Sequence, residues 1–499
     1  MEVEEQVLAW NTLQNFINGQ FVPAKDGETL DNIYPATSQV AGTIPRSKSQ
    51  DVEVAVSSAK DALHLGPWGK TSVNERADLL EAIAQEIEDN FELFAYLESR
   101  DTGKPLSLTR RVDIPRAISN FRFFAGAVRH SRDDFHPMSD AFNYTLRRPV
   151  GVVGLITPWN LPLYLLSWKV APALAMGNTI VAKPSELTPS TATLLADVIS
   201  RVGVPQGVFQ LVHGLGAEVG QAIVEHPDIS AISFTGGTVT GKRVAATAAP
   251  QFKKLSLELG GKNPNIIFAD CDFEKAVEGT MRASFTNQGQ VCLCDSRVLV
   301  QREIFDAFTE AIVEKTKALV LGDPMDPQTE VGALVSVDHL EKVKGYVELA
   351  KEEGGDVLCG GERPEMPGVF ADGAFLLPTI ISGLTPQCRT VQEEIFGPVI
   401  TLHPFDTVEE ALEIANGVRY GLAASVWTQD LQKAHRVSAA LETGMVWVNT
   451  WLHRDLRVPF GGLKDSGVGR EGGAYSLSFF SEARNICIHM GEHWNNIGS

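Results

Sequence analysis

The sequence predicts an α/β fold built on parallel sheets, and two observations support this class. From residue 150 onward, short runs rich in β-branched residues alternate with stretches of helical periodicity. That rhythm is typical of consecutive βαβ units, whose strands pair in parallel. With 499 residues the chain is also longer than one hydrophobic core usually supports, so we expect about three domains or subdomains.

The first block of elements begins with two helices and continues with strands that alternate with helices. In chain order, the predicted helices cover residues 51–63, 73–99, 163–176, 189–202 and 217–225, and the predicted strands cover residues 152–157, 179–183, 208–212 and 229–234. Ligands bind at the carboxyl ends of such strands, so the residues that follow each strand are the first candidates for a site.

A second α/β block follows, and the chain ends in a predicted edge strand. The block has predicted strands at residues 298–301 and 444–449 and predicted helices at residues 273–285, 302–319, 340–353 and 411–416. Residues 483–490 (ARNICIHM) alternate in the manner of an edge strand. Because exposed edges often pair with another subunit, we expect a homodimer or homotetramer, with an edge covered inside the chain as the alternative.

Composition and charge exclude several classes of function. The chain has 44% hydrophobic and 21% charged residues, and its net charge of −19 disfavours nonspecific binding to nucleic acid or to anionic membranes. The most apolar run, residues 150–182, is interrupted by prolines, asparagines and a lysine, which predicts a buried core element and not a membrane span. Residues 1–10 (MEVEEQVLAW) lack the basic and apolar regions of a signal peptide, so we expect a cytoplasmic protein.

The six cysteines predict neither a disulfide scaffold nor a metal centre. They are few and scattered for a chain of this size. Cys292 and Cys294 form a CxC pair, but no second cysteine pair and no closely spaced histidine pair stands near them to complete a tetrahedral zinc site. We therefore expect reduced cysteines and no bound metal.

One cysteine and one carboxylate offer the parts of a covalent reaction. Cys292 lies in the polar segment FTNQGQVCLCDSR, and Glu258 precedes a double glycine in LSLELGGKN. A thiol can attack a carbonyl carbon, and a nearby carboxylate can take a proton from the thiol or from water. Each residue by itself is also compatible with a packed cysteine and a solvated glutamate, so the rest of the chain must decide.

Two turns predict a nucleotide site. In SFTGGTVTG, which follows a predicted strand and leads into a helix, Gly236 and Gly237 would let a phosphate approach the helix amino end. The stretch is not GxGxxG, so the ordinary Rossmann fingerprint is absent. In TIVAKPSE, the strand ends at Lys183, and Glu186 can bind both ribose hydroxyls while repelling a 2′-phosphate. This favours NAD over NADP.

Over essentially its whole length the chain resembles the aldehyde dehydrogenase superfamily. The matching motifs are PWN (158–160), KPSE (183–186), FTGG (234–237), LELGGKN (257–263), GQVC (289–292), EEIFGPV (393–399) and PFGGLKDSG (459–467). The resemblance implies an aldehyde dehydrogenase-like α/β fold with a Rossmann-type NAD-binding domain, an α/β catalytic domain and a small β oligomerisation element. By that resemblance the NAD-binding domain comprises residues 1–129 and 151–259, the catalytic domain residues 260–465, and the oligomerisation or bridging element residues 130–150 and 466–499.

The resemblance also implies roles for individual residues. Cys292, the cysteine after GQV, would be the nucleophile, Glu258 the general base, and Asn160 a donor to the developing oxyanion. The aldehyde would pass through a thiohemiacetal and a thioester, which water hydrolyses to a free acid. A CoA-acylating enzyme is disfavoured, since Glu258 would expose its thioester to water. The contacts to NAD would come from Thr157, Trp159, Lys183, Glu186, Gly236, Gly237, Glu394 and Phe396.

Two arginines narrow the expected substrate. Arg116 lies in a predicted helix that borders the substrate tunnel of this fold, and Arg454 lies in a loop before PFGG. Family members that act on apolar aldehydes generally carry uncharged side chains at these places. A guanidinium group there suits a carboxylate on the substrate, unless Asp113 and Asp455 pair with the two arginines.

The combination of DIPR, PWNLPLYLLSWKVAPALA, GQVCLC and WLHR resembles the members of the family that oxidise 2-aminomuconate 6-semialdehyde in tryptophan breakdown by the kynurenine route. Arg116 and Arg454 could clamp the carboxylate of that substrate, and Asn160 could contact it as well. The alternatives are a 2-hydroxymuconic semialdehyde dehydrogenase and a broad aldehyde or retinal dehydrogenase. From other classes, a catalytically silent structural relative and a thiol esterase remain open.

Overall fold

Two large sheets, each mainly parallel, organise the chain. The computed structural model describes residues 10–491, and every structural statement below refers to those residues. Residues 1–9, which contain most of the segment used to judge a signal peptide, and residues 492–499, the end of the predicted bridging element, lie outside the described residues.

The first sheet carries the strands that the sequence predicts between residues 152 and 234. Its central five strands are parallel, and the strand next to them on each side, Asn15–Ile17 or Gly467–Val468, is antiparallel to them; Gln20–Val22 pairs antiparallel with Asn15–Ile17. Within the described residues its eight strands are ordered Gln20–Val22, Asn15–Ile17, Phe209–Leu211, Thr179–Lys183, Val152–Ile156, Ile229–Thr235, Lys254–Glu258 and Gly467–Val468.

The second sheet lies in the carboxyl-terminal half of the chain. Its described strands are ordered Asp356–Cys359, Thr379–Ser382, Val399–Phe405, Arg297–Gln301, Pro264–Ile267, Ala423–Trp427 and Met445–Val448. All pairs are parallel except the first, which is antiparallel. The predicted α/β class with parallel sheets is confirmed.

Three smaller antiparallel sheets complete the strands. Ser481–His489 pairs with Ala141–Pro149, which also pairs with Phe135–Pro137, so the predicted final strand lies at an edge. Two-stranded sheets join Thr29–Tyr34 to Gln39–Pro45, and Tyr420–Gly421 to Leu463–Lys464. The domain boundaries derived from the family resemblance stay a prediction.

Helices flank both large sheets. Those before residue 260 are Ser49–His64, Val73–Asp89, Phe91–Thr102, Leu106–Leu108, Ile114–Arg129, Pro162–Ala175, Ser190–Arg201, Gln221–Glu225 and Thr238–Ala248. Those after it are Phe273–Phe285, Arg302–Lys317, Val337–Glu352, Arg389–Gln392, Val408–Asn416, Leu431–Ala440 and Gly473–Phe479. Across residues 10–491, no helix combines the length and the apolar character needed to cross a membrane.

The helix predicted over residues 73–99 is two helices, because Asn90 ends one and begins the next. Its backbone has φ −106° and ψ 24°, outside the helical range, and its side-chain amide donates to the carbonyl of Glu86 at 2.7 Å. Asparagine bonds readily to nearby backbone groups and so competes with helix continuation. The amphipathic pattern continues through the break, which is why periodicity alone did not reveal it.

The register of the first sheet places four strand ends at one level. Ile156 pairs with Lys183 and with Phe234, and Thr235 pairs with Glu258. Helix Pro162–Ala175, which follows the first of these ends, is buried at every residue. A helix apolar on all sides is fixed in the core, so the segment that leads into it is held rigidly.

Candidate functional site

Two of the cavities that border Cys292 also contact the predicted base, the oxyanion donor or a substrate arginine. The larger of these, of about 260 Å³, is lined by Asn160, Glu258, Glu394 and Phe396 among others. The smaller, of about 50 Å³, is lined by Tyr164, Arg454 and Phe460 among others. The structure therefore brings the predicted nucleophile, base and oxyanion donor to one cavity and one of the predicted substrate arginines to the other.

A left-handed turn sets the position of Cys292. Asn287, Gln288 and Gly289 have φ values of 53°, 53° and 68°, directly after helix Phe273–Phe285. Two consecutive non-glycine residues in this region are uncommon, and such backbone clusters at functional sites. A Cβ on Gly289 would lie 2.2 Å from the carbonyl oxygen of Gly397, so the turn packs closely against EEIFGPV.

The thiol of Cys292 is neutral in the free protein. Burial, together with the negative charges of Glu394 and Glu258, raises its pKa to about 12, against a smaller opposing effect of Arg454. The backbone of the same residue is fixed, because the side-chain amide of Asn263 donates to the Cys292 carbonyl at 2.8 Å. Nucleophilic attack therefore requires removal of a proton at this fixed position.

Glu258 ends strand Lys254–Glu258 and is only 4% exposed. Neither carboxyl oxygen has a hydrogen-bond partner among the described residues. Burial raises the pKa of Glu258 well above its usual range, Glu471 raises it further, and Lys169 opposes that rise. Lys169 and Glu471 form a buried ion pair at 2.7 Å. Burial therefore favours the protonated form of Glu258, and the group acts as a base only after it loses that proton.

Asn160 lies between the strand Val152–Ile156 and the buried helix, and it is 4% exposed. One N–H of its side-chain amide donates to the carbonyl of Gln290 at 2.9 Å. The other N–H makes no hydrogen bond to a described residue. A donor of this kind at the rim of the Cys292 cavity can stabilise an oxyanion on the attacked carbon.

Glu394 and Phe396 form one wall of the larger cavity. The Glu394 carboxylate accepts a hydrogen bond from the Gly261 N–H at 2.9 Å. Gly260 makes room for it, because a Cβ at that position would lie 2.0 Å from a Glu394 oxygen. Phe396 has φ 63°, and its ring packs edge-on against Trp159 at 5.3 Å. Both predicted residues therefore face the cavity from a constrained segment.

Gly236 and Gly237 also line the larger cavity, next to the amino end of helix Thr238–Ala248. Nothing lies within 4 Å of the space that a Gly237 Cβ would fill, so a phosphate can approach the backbone there. The hydroxyl of Thr235, in the same wall, is buried without a hydrogen-bond partner in the described structure. The free space beside Gly237 and the unpaired hydroxyl of Thr235 suit the binding of a dinucleotide.

Lys183, Glu186 and Thr157 lie together outside the larger cavity. The Lys183 ammonium donates to Glu186 at 3.0 Å, and the Thr157 N–H donates to the Lys183 carbonyl at 3.1 Å. Lys183 is almost fully buried, whereas the Glu186 side chain is 31% exposed. A carboxylate at such a rim is accessible to ribose hydroxyls, as the sequence predicts.

Arg454 lies in the wall of the smaller cavity, between two aromatic rings. Its guanidinium carbon is 4.0 Å from the ring centre of Phe460 and 4.5 Å from that of Trp168. One nitrogen donates to the Tyr164 hydroxyl at 2.8 Å, while Nε and Nη2 are buried without a described partner. Arg116 does not line this cavity; its guanidinium carbon lies 5.6 Å from the ring centre of Tyr164.

The local acids do not neutralise the two arginines. Asp113 accepts from the Lys104 ammonium at 2.8 Å, and Asp455 pairs with Arg457. Among residues 10–491, neither Arg116 nor Arg454 has a carboxylate within ion-pair distance. Two donor atoms of Arg454, a residue of the cavity wall, therefore have no anion among the described residues.

Sequence reasoning missed several contributors. Tyr164 contacts both arginines, and its place two residues after PWNLP was a usable signal. The Nε2–H of His339 donates to the carbonyl of Phe396 at 2.7 Å, and the ring packs against Trp159; nothing in its local sequence pointed to that role. The Lys169–Glu471 pair joins positions about three hundred residues apart, which no local pattern reveals.

Known proteins share this arrangement of elements. A protein from Pseudomonas sp. (strain CF600) named 2-hydroxymuconic semialdehyde dehydrogenase is 49% identical over 484 residues, which covers 96% of this chain and 99% of the relative. A Danio rerio protein named 2-aminomuconic semialdehyde dehydrogenase is 48% identical over 480 residues, covering 95% and 98%. The structure titled as the NAD⁺ complex of aldehyde dehydrogenase from Bacillus cereus superposes with a TM-score of 0.95 at 41% identity, covering 97% and 99%.

Residues 21–486 match the sequence model of the aldehyde dehydrogenase family. The resemblance stated from seven short motifs is thereby confirmed over almost the full length of the chain. This protein belongs to the aldehyde dehydrogenase family.

Proposed function

We propose that the protein uses NAD⁺ to oxidise a semialdehyde that carries a carboxylate, with 2-aminomuconate 6-semialdehyde as substrate and 2-aminomuconate as product. The names of two relatives at 48–49% identity support this substrate class. They also make 2-hydroxymuconate semialdehyde the second candidate, since it has the same carboxylate and aldehyde.

The observation that carries the proposal is the unneutralised guanidinium of Arg454. Its Nε and Nη2 are buried with no described partner, although charged groups removed from water normally find one. A substrate whose aldehyde meets Cys292 across a cavity of about 50 Å³ would place its far end at this wall. A carboxylate there would accept from both nitrogens, as guanidinium and carboxylate groups commonly pair. Retinal or hexanal would leave them unsatisfied.

The chain's own residues supply the covalent chemistry. Deprotonated Glu258 takes the proton of the Cys292 thiol, and the sulfur forms a bond to the aldehyde carbon. The free N–H of Asn160 donates to the oxygen that gains negative charge. The hydride acceptor for that carbon would be NAD⁺, held by the residues of the larger cavity. Glu258 releases the first proton to solvent and then takes a proton from the water that attacks the thioester. The carbon–sulfur bond breaks, the departing sulfur regains a proton from Glu258, and the free acid and the thiol are released.

For the cofactor, we propose that Glu394 and Phe396 hold the nicotinamide end and that Lys183 and Glu186 hold the adenosine ribose. The open space at Gly237 and the buried Thr235 hydroxyl, which has no hydrogen-bond partner among the described residues, support the fit of NAD to this cavity. Thr157, Trp159 and Gly236 complete the predicted set of contacts. The negative charge of Glu186 favours NAD over NADP, because a 2′-phosphate would be repelled.

We also propose that the protein forms a homodimer or homotetramer through the three-stranded sheet. Strand Ser481–His489 leaves an unpaired edge, and the sheet exposes several large apolar side chains. These are Phe135, Met138, Leu146, Ile488 and Met490. Sedimentation would test this, and a monomer at micromolar concentration would contradict it. The proposed domain division assigns this sheet to the bridging element.

The decisive experiment measures NADH formation with 2-aminomuconate or 2-hydroxymuconate semialdehyde against hexanal and retinal, for the native protein and Arg454→Ala. Losing two charge-assisted hydrogen bonds to one carboxylate, at about 1.5–3 kcal/mol each, should lower kcat/KM for the semialdehydes by more than about 100-fold. Arg116→Ala should show a smaller loss, because Arg116 lies behind Tyr164. Hexanal should be little affected.

Arg457→Ala is the matched control, since Arg457 lies on the same loop but is exposed and paired with Asp455. Equal use of hexanal or retinal, unchanged by Arg454→Ala, would contradict the substrate class and leave a broad aldehyde dehydrogenase. Ester hydrolysis without NADH formation would indicate a thiol esterase, and the absence of both activities a silent relative.

A further inference from the structure

Behind the Cys292 site lies a fully buried cluster of charged side chains, Glu98, Lys104 and Asp113. The Lys104 side chain has no exposed surface, and its ammonium nitrogen is 2.8 Å from Asp113 and 3.8 Å from Glu98. Removing an ammonium ion from water is costly, and well-packed apolar residues would often give equal or better stability. Stability alone therefore does not explain the cluster, and the contacts of its charged groups indicate its role.

The third partner of the Lys104 ammonium is the backbone carbonyl of Asn160. The nitrogen donates to that oxygen at 3.0 Å, and the side-chain amide of Asn287 donates to the same oxygen at 3.0 Å. Both lone pairs of the carbonyl are thus used. The residue whose side chain is the proposed oxyanion donor is held through its backbone by two separate elements.

Local structure aims Lys104 at this carbonyl. Helix Phe91–Thr102 ends at Gly103, which has φ 75° and turns the chain sharply. The Ser99 hydroxyl then donates to the Lys104 carbonyl at 2.6 Å and fixes the backbone from which the side chain extends. The ammonium therefore has little freedom to seek another acceptor.

Glu98 holds the other side of the same segment. Its carboxyl group accepts from the Leu163 N–H at 3.3 Å and from the Thr191 hydroxyl at 2.7 Å. Leu163 is in the first turn of the buried helix that follows Asn160. The cluster thus binds the backbone both at Asn160 and at Leu163, three residues later. These two contacts fix the direction of the Asn160 side chain.

We propose that Lys104 is a positioning residue: its hydrogen bond to the Asn160 carbonyl orients the Asn160 amide toward the oxygen of the aldehyde attacked by Cys292. This inference rests on the proposed role of Asn160. The oxyanion donor must point at the position that the charged oxygen will occupy, and a displacement of about 1 Å can cost about 100-fold in rate.

The test is a double-mutant cycle on the full-length protein, with Lys104→Met, Asn160→Ala and the double variant. Lys104→Met keeps the length of the side chain and removes the donor. We expect it to slow the NADH burst with hexanal by about 10- to 100-fold, with little change in KM for NAD⁺. In the Asn160→Ala background the same change should have an effect of less than about twofold, because the group that Lys104 positions is gone.

Two further readouts separate positioning from general damage. The rate at which iodoacetamide alkylates Cys292 does not depend on an oxyanion donor and should match the native rate in Lys104→Met. Lys104→Arg, which keeps a cationic donor, should recover part of the burst rate. If Lys104→Met does not fold, Lys104→Gln gives the same comparison, since its shorter side chain loses Asn160 but keeps a polar partner for Asp113.

The outcomes are distinct. Additive losses from Lys104→Met and Asn160→Ala, or a Lys104→Met burst at the native rate, would overturn the positioning role while leaving the proposed function intact. A native burst rate in Asn160→Ala would instead overturn the proposed role of Asn160, and the inference about Lys104 with it.

Discussion

Gly260→Ala is expected to weaken NAD⁺ binding by displacing Glu394. The new Cβ would lie 2.0 Å from a Glu394 oxygen, whereas ordinary contact begins at 3.4 Å, so the carboxylate must retreat by about 1.4 Å, the difference between the two distances. That movement breaks its 2.9 Å hydrogen bond from the Gly261 N–H. The obstructing atom is the end of a flexible side chain, so the fold itself should survive.

The size of the effect follows from the proposed contact between Glu394 and the nicotinamide ribose. Losing one hydrogen bond to a charged group costs about 1.5–3 kcal/mol, which corresponds to about a 10- to 150-fold rise in KM for NAD⁺. Initial rates of NADH formation at varied NAD⁺ and saturating hexanal would measure it. Glu394→Ala should produce a similar rise, and combining the two changes should add little.

Gly126→Ala is the control, because Gly126 lies on helix Ile114–Arg129, outside the larger cavity, and has nothing within 4 Å of its missing Cβ. It should leave KM unchanged. A KM for NAD⁺ within twofold of native in Gly260→Ala, with the melting temperature preserved, would refute the reasoning that Glu394 binds the cofactor from its observed position.

Three other outcomes follow from the structure. Glu471 raises the pKa of Glu258, and Lys169 lowers it. Glu471→Gln should therefore move the acid limb of the kcat–pH profile to lower pH, and Lys169→Met should move that limb to higher pH. Shifts of both variants in the same direction would contradict this coupling. Because the pKa of the Cys292 thiol is about 12, its rate of alkylation by iodoacetamide should rise about tenfold per pH unit from pH 7 to 10. Peptide mass spectrometry would measure this rate. A plateau below pH 9 would contradict the raised pKa. Asn178→Ala removes three buried hydrogen bonds, at 2.8, 3.0 and 3.1 Å, and should destabilise the protein by about 2–4 kcal/mol in urea unfolding; an unchanged midpoint would show that these bonds contribute nothing.

The parallel strands and the residues at their ends could be predicted from the sequence, because both depend on local patterns. Val152–Ile156 and Thr179–Lys183 are continuous apolar runs that end in polar motifs, and such runs are characteristic of buried parallel strands. The ends of these strands place PWN and KPSE at one edge of the sheet. Periodicity and motif spacing sufficed for that part of the site.

The environment of Arg454 could not be predicted, because its partners come from distant parts of the chain. Tyr164 and Trp168 lie on helix Pro162–Ala175, nearly three hundred residues away, and Phe460 follows in the next turn. The sequence offered Asp455 as an alternative partner for Arg454, and only the fold shows that Asp455 binds Arg457. Charge pairing between remote segments depends on packing, which no local pattern encodes.

The left-handed turn before Cys292 also bears on how this family can diversify. Asn287 in that turn donates to the Asn160 carbonyl, and Gly289 packs against Gly397 beside Phe396, so the turn touches both halves of the reaction machinery. A change there disturbs the nucleophile, the oxyanion donor and the cofactor wall together, and selection would reject it. Arg454, by contrast, lines the smaller cavity and not the larger one. A new substrate preference is therefore acquired more readily by a change at Arg454 than by a change in the left-handed turn.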